Sequence, residues 1–214
     1  MSDATNVREL FFAGARTVID AIADPAVEAA WDRPSVLEEQ LVSSVAGHLA
    51  RSGLWVVGEY LFAGSPARPP DFGSASEYFV AVAVAATPEV HLAIRERGAA
   101  VAALGREEIL HRLRDELGSL EPLLDTLPAD HLMAVFGGKV ITLSDYLVTR
   151  VVEQAVHLDD LARSVGRDPW PLPSGHEALA ISVGVEMACR LHGPNATRRG
   201  LYRKGFAELT FPVL

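Results

Sequence analysis

The chain has 214 residues, of which 49% are hydrophobic and 22% are charged, a composition typical of a globular protein that buries a core. Its net charge of −9 argues against a general nucleic-acid binder, because phosphate contacts need a basic surface. A single cysteine, Cys189, excludes an internal disulfide framework, and the Met-Ser-Asp start lacks the features of a secretory signal. We therefore expect a cytoplasmic protein in which Cys189 is a small core residue.

The chain offers no candidate for a membrane span. Its longest apolar run, residues 78–86, is far shorter than the ~18 residues that a bilayer requires. No shift in composition marks a linker, so we expect a single domain over residues 1–214. The composition is equally compatible with a monomer and a homodimer.

The first part of the chain predicts two long helices. Apolar residues recur with helical spacing from about Asn6 to Ala23, and a short helix should then reach Trp31. Ser35 and Glu38 have the S-x-x-E spacing of a capping box, in which each side chain accepts a bond from an exposed backbone N–H. The second long helix is therefore predicted from Val36 to about Phe62.

His48 lies on the apolar face of this second predicted helix. Leu41 and Trp55 lie seven residues to either side of it, which places all three on one face. Gly47 and Gly53 would let another helix approach closely at this point. A histidine on an apolar stripe is usually a core residue that is hydrogen-bonded to a neighbour, so a role in metal binding needs partners elsewhere in the chain.

The middle of the chain predicts a third helical region. Ser74 and Glu77 repeat the capping-box spacing, and the helix should continue in pieces to Leu117. His91 and His111 share no spacing with a credible ligand, and we expect both on the surface.

A small β-hairpin is predicted next, followed later by a final helix. Residues 133–142 contain two short β-prone runs around a glycine pair at 137–138 that can adopt the positive φ angles of a tight turn. A capping-box serine, Ser174, should begin the last helix, which ends near Leu191. The Arg-rich C-terminal segment, about 190–214, is interpreted as a solvated helix face, with the edge of an anion-binding pocket as the alternative.

The stretch 144–166 is predicted to form one helix, capped by Ser144, with a single polar ribbon. Glu153 and His157 lie four residues apart on this ribbon, so their side chains project side by side and could share one divalent cation. Taken alone, the ribbon favours a solvated surface with ion pairs. Its residues are Tyr146, Arg150, Glu153, His157, Asp160 and Ser164.

Four long helices with short to medium loops favour an all-α four-helix bundle over any sheet-based fold. If the second and fourth long helices pack together, His48 can project toward Glu153 and His157. Two histidines and one carboxylate with an open coordination position form a catalytic type of metal site.

Three segments carry a resemblance to a known family: W-D-R-P-S-x-L at 31–37, V-A-G-H-L-A-R at 45–51, and D-Y-L-V-T-R-V-V-E-Q-A-V-H-L-D-D-L-A-R-S-V-G at 145–166. The chain resembles, over nearly its whole length, the mycothiol-dependent maleylpyruvate isomerase-like proteins of the DinB-like helical bundle superfamily. The resemblance implies a bundle that binds a divalent metal, commonly zinc, through His48, Glu153 and His157. It also implies a low-molecular-weight thiol, mycothiol, as co-substrate.

The resulting hypothesis is an enzyme whose metal binds a small thiol and presents the thiolate to a small electrophilic substrate, for isomerisation or S-transfer. Asp160 is predicted to orient His157, and Arg150 to hold Glu153 or an anionic substrate group; simple surface pairing is the alternative for both. The isomerases carry a further C-terminal domain that contributes to their active site, so the resemblance does not transfer the substrate. A non-catalytic metal- or ligand-binding bundle and a metal-dependent hydrolase are the competing functions.

Overall fold

The computed structural model describes residues 7–213, which form a helical bundle with one small hairpin. The expected all-α fold with a hairpin before the fourth long helix is confirmed. The predicted start of the first helix at Asn6 lies outside the described residues. The helices are α1 (Val7–Ala23), α2 (Pro25–Ala29), α3 (Val42–Ala50), α4 (Val56–Phe62), α5 (Ala75–Ala85), α6 (Pro88–Ala102), α7 (Arg106–Thr126), α8 (Leu143–Ser164), α9 (His176–His192) and α10 (Pro194–Tyr202), and the strands are β1 (Leu132–Val135) and β2 (Lys139–Thr142).

The core lies between α1, α7, α8 and the α3–α4 segment, and α8 contacts α1, α3, α5 and α9. Apolar side chains at helical spacing supply it, including Phe11, Leu49, Leu113 and Leu147, which are fully buried. Each such side chain contributes about 1.5–3 kcal/mol when it is removed from water. The arrangement places α8 beside four other helices, so polar residues on its inward faces meet other helices, while Asp159 and Arg163 lie on an exposed side.

The second long helix begins at Val42 rather than at Val36, so this prediction was wrong. The Ser35 hydroxyl accepts the N–H of Leu37 at 3.1 Å inside a loop and caps no helix. Glu39 has φ 58°, in the left-handed region, which a continuous α-helix excludes. The capping-box spacing is therefore present in the sequence but is used in a local turn.

A π turn at Arg51–Trp55 joins α3 to α4 within one continuous helix. At its end, the N–H of Val56 donates to the carbonyl of Arg51, five residues earlier. A π turn inserts one extra residue and changes which side chains share a face on its two sides. The predicted helix thus ends at Phe62 as expected, but it has a wide turn immediately after His48.

Gly47 allows α3 and α6 to cross closely, as predicted. A Cβ at Gly47 would lie 2.3 Å from the carbonyl oxygen of Gly98, so no side chain fits between the two helices. At Gly53, by contrast, a Cβ would make only ordinary contacts of 3.5 Å or more. The close approach of a neighbouring helix therefore requires glycine at position 47 but not at position 53.

The third helical region is divided into α5, α6 and α7, in agreement with the prediction of several pieces. Ser74 caps α5 by accepting the N–H of Glu77 at 3.2 Å. The Glu77 carboxylate accepts the N–H of Gly73 at 2.7 Å, one residue before the position that a capping box would use. The predicted helix start is therefore correct, and the reciprocal bond is shifted by one residue.

Helix α7 ends at Thr126 and not near Leu117, because it continues through Pro122. A proline inside a helix removes one backbone hydrogen bond. Leu120 and Leu124 are almost fully buried on either side of Pro122 and anchor this turn against the core. The packing of these two leucines offsets the cost of the hydrogen bond that Pro122 cannot make.

The predicted hairpin is present, with Leu132 opposite Thr142 and Val135 opposite Lys139 in an antiparallel pair. Its two turn glycines have φ of 70° and 71°, which only glycine adopts readily. The hairpin leads directly into α8 and fixes the position at which that helix begins.

Two predicted helix caps were wrong by one or two residues. Thr142, and not Ser144, caps α8 by accepting the N–H of Asp145 at 3.2 Å. Helix α9 begins after Gly175, whose φ of 88° positions the first turn, while Ser174 provides no side-chain cap. In both cases the predicted and the observed cap lie within two residues of each other, and the backbone conformation determines which of them caps the helix.

The burial expected for three residues, His91, His111 and Cys189, agrees with the structure for two of them. His91 and His111 are exposed as predicted, whereas Cys189 is half-buried and is not a fully enclosed core residue. Within residues 7–213, no single helix is long and apolar enough to cross a membrane. The combination of α5 and α6 reaches the necessary length and composition, but the two helices meet at a bend of 111°.

Candidate metal centre

The polar ribbon of α8 faces the interior of the bundle. Tyr146 and Arg150 are 1% and 6% exposed, which rules out the solvated-surface interpretation for this part of the ribbon. The side chains of Glu153 and His157 are 19% and 22% exposed. The ribbon therefore runs from the closed core to side chains that remain partly exposed.

His48 of α3 meets Glu153 and His157 of α8 at this site. The Nε2 atoms of His48 and His157 lie 3.5 and 3.4 Å from the same oxygen, Oε2 of Glu153. The two rings meet edge to face with their centroids 4.6 Å apart. In the described part of the chain, no other group of three histidine, cysteine or acidic side chains brings its ligand atoms this close, within 4.8 Å of one another.

These distances fit a single divalent ion. Zinc bonds to histidine nitrogen and carboxylate oxygen at 2.0–2.2 Å, so two donors of a tetrahedral zinc lie about 3.4 Å apart. The two separations from Glu153 Oε2, 3.5 and 3.4 Å, match this value. The chemistry of the donor set, two imidazoles and one carboxylate, is that of catalytic zinc sites.

Asp160 contacts the far side of the His157 ring. Its Oδ2 lies 3.0 Å from Nδ1 of His157, one turn along α8. A proton on Nδ1 that is bonded to this carboxylate leaves the Nε2 lone pair directed toward Glu153 and His48. The Ser164 hydroxyl donates to the backbone carbonyl of Asp160 at 2.6 Å and accepts the N–H of Val36 at 3.1 Å. The loop that replaces the predicted start of helix two is thereby connected to this end of α8.

Arg150 is buried one turn before Glu153, and its guanidinium is engaged by protein groups. Its Nε donates to the Thr149 hydroxyl, and its Nη1 donates to the carbonyl of Ser52, both at 3.0 Å. Its Nη2 lies 3.8 Å from Oε1 of Glu153, and the group stacks over the ring of Tyr146 at 4.7 Å. A fixed positive charge therefore lies beside the Glu153 carboxylate.

The electrostatics keep Glu153 ionised. Burial favours its neutral form, but hydrogen bonds to His157 and His48 and the charge of Arg150 outweigh burial and hold its pKa well below the usual value. Burial also opposes the charged form of His157, yet its bonds to Asp160 and Glu153 raise its pKa to about 9. Burial lowers the pKa of His48. At neutral pH the donor set without metal thus contains an ionised Glu153, a neutral His48 and a protonated His157, so a metal ion would have to displace the proton on Nε2 of His157.

The family model described as the mycothiol maleylpyruvate isomerase N-terminal domain matches residues 12–162. The match includes all three converging donors, on α3 and α8. The chain belongs to this family. No curated protein and no solved structure matches the chain. Membership confirms the resemblance seen in the sequence, and the helical bundle with its small hairpin is the DinB-like fold which that resemblance implied.

Two buried residues of this family member were missed by the sequence analysis, Gln154 and His176. Gln154, beside Glu153, donates through Nε2 to the carbonyls of Phe11 at 3.1 Å and Gly53 at 2.8 Å. Its Oε1 lies 3.0 Å from Nε2 of His176, which is fully buried and whose pKa is lowered to about 4 by burial. One signal was available in the sequence, because a glutamine on the apolar face of a helix requires buried hydrogen-bond partners.

Proposed function

We propose that this family member is a metal-dependent enzyme that uses a small thiol of the mycothiol type as nucleophile on a small electrophilic substrate. The observation that carries the proposal is the convergence of His48, Glu153 and His157 on one point that remains partly exposed. The family, named for a mycothiol-dependent isomerase, supplies the thiol. A reducing cytoplasm, in which such thiols stay reduced, is the compartment that suits this chemistry.

The metal would be held by Nε2 of His48, Nε2 of His157 and Oε2 of Glu153. Zinc suits this donor set best, because it accepts nitrogen and oxygen ligands in a tetrahedral arrangement and keeps the fourth position for a water or a substrate. A bound zinc ion lowers the pKa of a coordinating thiol, so that thiolate is present at neutral pH.

The residues of the chain prepare this site in three ways. Asp160 holds the His157 ring so that Nε2 faces the centre. Arg150 places a positive charge beside Glu153 and stabilises its ionised form. The ligand side chains are 19–23% exposed, and the proposal requires that the thiol and its reaction partner approach from this exposed side.

Both candidate reactions balance without an oxidant or a reductant. In an isomerisation, the thiolate sulfur bonds to one carbon of an activated double bond and the π electrons move to the activating group, the resulting single bond rotates, and elimination of the sulfur with its electron pair restores the double bond and the thiolate. In an S-transfer, the new carbon–sulfur bond remains and the leaving group departs with its electron pair. Neither of these two reactions identifies the substrate.

The first test is metal content. We expect about one zinc per wild-type chain, and loss of that metal in the variants His48→Ala, Glu153→Gln and His157→Ala, measured by elemental analysis after purification and dialysis. The variant His111→Ala, which removes an exposed histidine, is the control and should retain the metal. Unchanged metal content in all three ligand variants would dismiss the site.

The second test is thiol dependence. The zinc-loaded protein is incubated with a panel of small electrophiles that includes maleylpyruvate, with and without mycothiol. We expect product only when both metal and thiol are present. Product without thiol would replace this proposal with a metal-dependent hydrolase, and metal-dependent thiol binding without turnover on any electrophile would leave a non-catalytic binding protein.

A further inference from the structure

The π turn at Arg51–Trp55 lies between the ligand His48 and the rest of its helix, and α8 holds this turn directly. The carbonyl of Ser52 accepts a bond from Arg150 at 3.0 Å, and the next carbonyl, that of Gly53, accepts one from Gln154 at 2.8 Å. A backbone carbonyl has two lone pairs and can accept such a bond from outside its own helix. Two consecutive carbonyls of the widened turn are therefore fixed by two side chains of α8.

These two side chains flank a ligand. Arg150 and Gln154 lie four residues apart on α8, with Glu153 between them and His157 three residues beyond Gln154. Arg150 is 6% exposed and Gln154 is fully buried. The same two turns of α8 thus provide both the carboxylate and imidazole ligands and the bonds that hold the segment carrying the third ligand.

Gln154 has a single possible orientation in this network. Its amide nitrogen faces two carbonyl acceptors, those of Phe11 and Gly53, so the amide oxygen must accept from Nε2 of His176. A Cβ at Gly14 would lie 2.1 Å from Oε1 of Gln154, which shows how closely α1 encloses the amide. Gln154 therefore connects α1, the π turn and α9 through one rigid group.

We propose that Arg150 and Gln154 are positioning residues that hold the π turn against α8 and so place His48 opposite Glu153 and His157. We name this pair the π-turn brace. The inference rests on the metal site proposed above and assigns Arg150 a role toward the fold of the site instead of contact with an anionic substrate. Without the brace, α3 can rotate or slide relative to α8, and the three donor atoms no longer converge.

The test compares Gln154→Met, which keeps the volume of the side chain but removes its bonds, with Ile141→Ala in strand β2. Ile141 is fully buried in the hairpin and makes none of the brace contacts. We expect Gln154→Met to weaken zinc affinity about 10–100-fold in a chelator competition, the range for residues that orient metal ligands. In the metal-free protein, amide hydrogens of residues 48–57 should exchange faster relative to those of α7 in Gln154→Met, whereas Ile141→Ala should leave this ratio and the zinc affinity unchanged even where it lowers global stability.

Two milder variants keep the inference testable if Gln154→Met does not fold. Gln154→Asn is one methylene too short to reach both carbonyls, and Arg150→Lys keeps the positive charge beside Glu153 but loses the planar fork. Each should weaken zinc affinity in the same direction and by a smaller factor. Wild-type zinc affinity in the brace variants, with faster exchange or without it, would overturn the inference while leaving the metal site intact. Failure of the wild-type protein to bind zinc would instead overturn the proposed function.

Discussion

Two groups of polar residues, the ribbon of α8 and the Arg-rich C-terminal segment, look similar in the sequence but differ in the structure. In the C-terminal segment, Arg198 and Arg203 are exposed and bond to close neighbours, as Arg198 does to Asn195 at 2.9 Å, whereas Arg190 at its start reaches Ser76 and Glu77 on α5. Arg150 of the ribbon binds the π turn, and Gln154 beside the ribbon binds α1 and α9, all more than twenty residues away along the chain.

Burial together with complete hydrogen bonding distinguishes a functional site from a solvated helix face. Exposed ion pairs contribute little, typically 0–1 kcal/mol, and need no particular geometry. A polar side chain in the core costs several kcal/mol unless its bonds are complete, so Arg150 and Gln154 are tolerated only with their partners in place. Substitutions of buried and of exposed polar groups should therefore differ in their effects on stability and on metal affinity.

Gly14→Ala should disrupt the enclosure of Gln154. The new methyl group would lie 2.1 Å from Oε1 of Gln154 and 2.5 Å from Nε2 of His176, so these side chains must move. We expect a loss of about 1–3 kcal/mol in the free energy of unfolding, measured by urea denaturation. Gly118→Ala in α7 is the matched control, because a Cβ there meets nothing within 4 Å and alanine favours the helix by up to about 1 kcal/mol. Equal changes in the free energy of unfolding for the two substitutions would contradict the close packing of Gly14 against Gln154 and His176.

Asp160→Asn should weaken the metal site without removing a ligand. The amide no longer offers the charged acceptor that holds Nδ1 of His157 at 3.0 Å. We expect zinc affinity to fall about 10–100-fold, equivalent to about 1.4–2.7 kcal/mol, with stoichiometry at saturation unchanged. Asp159→Asn, on the exposed side of the same helix, is the control and should have no effect on affinity.

His176 should make the stability of the fold depend on pH. Its pKa is about 4 in the folded protein against 6.5 ordinarily, so between these values the unfolded chain binds a proton that the folded chain does not. The free energy of unfolding should therefore fall, by on the order of 1 kcal/mol, as the pH drops from 7 to 5. His176→Gln removes this component, and urea titrations at pH 7, 6 and 5 should give a smaller pH slope for the variant. Equal slopes would show that His176 is accessible to protons in the folded state.

Arg198→Ala and Arg203→Ala should change almost nothing. Both side chains are exposed, and within residues 7–213 their hydrogen bonds go to Asn195 and to the carbonyl of Tyr202. We expect changes within about 0.5 kcal/mol in the free energy of unfolding and no change in zinc affinity. A raised KM for the electrophile in either variant would instead favour the alternative interpretation of this segment as the edge of an anion-binding pocket.

The elements that the sequence predicted well are those that local chemistry determines. The hairpin depends on two glycines that allow positive φ, and the long helices depend on apolar spacing, so both are visible without the rest of the fold. The start of helix two was wrong because the Ser35 hydroxyl finds its partner, the N–H of Leu37, within a loop. A capping pattern cannot distinguish these two uses.

The candidate site was partly predictable for the same reason. The spacing of Glu153 and His157 is local, and His48 was linked to them by the expected packing of the second and fourth long helices and by the family resemblance. Gln154 and the π turn depend on contacts between α8, α1 and α9, which a single sequence does not reveal. The inward direction of the ribbon likewise follows from where α8 lies in the bundle and not from its own periodicity.

The most direct measurement of the central claim is the absorption spectrum of the cobalt(II)-substituted protein during titration with mycothiol. We expect one cobalt per chain, visible bands of a tetrahedral type, and a new sulfur-to-cobalt charge-transfer band as the thiol occupies the open position. The band should be absent in His157→Ala. A wild-type spectrum that does not change when thiol is added would contradict a metal centre that presents a thiolate to its substrate.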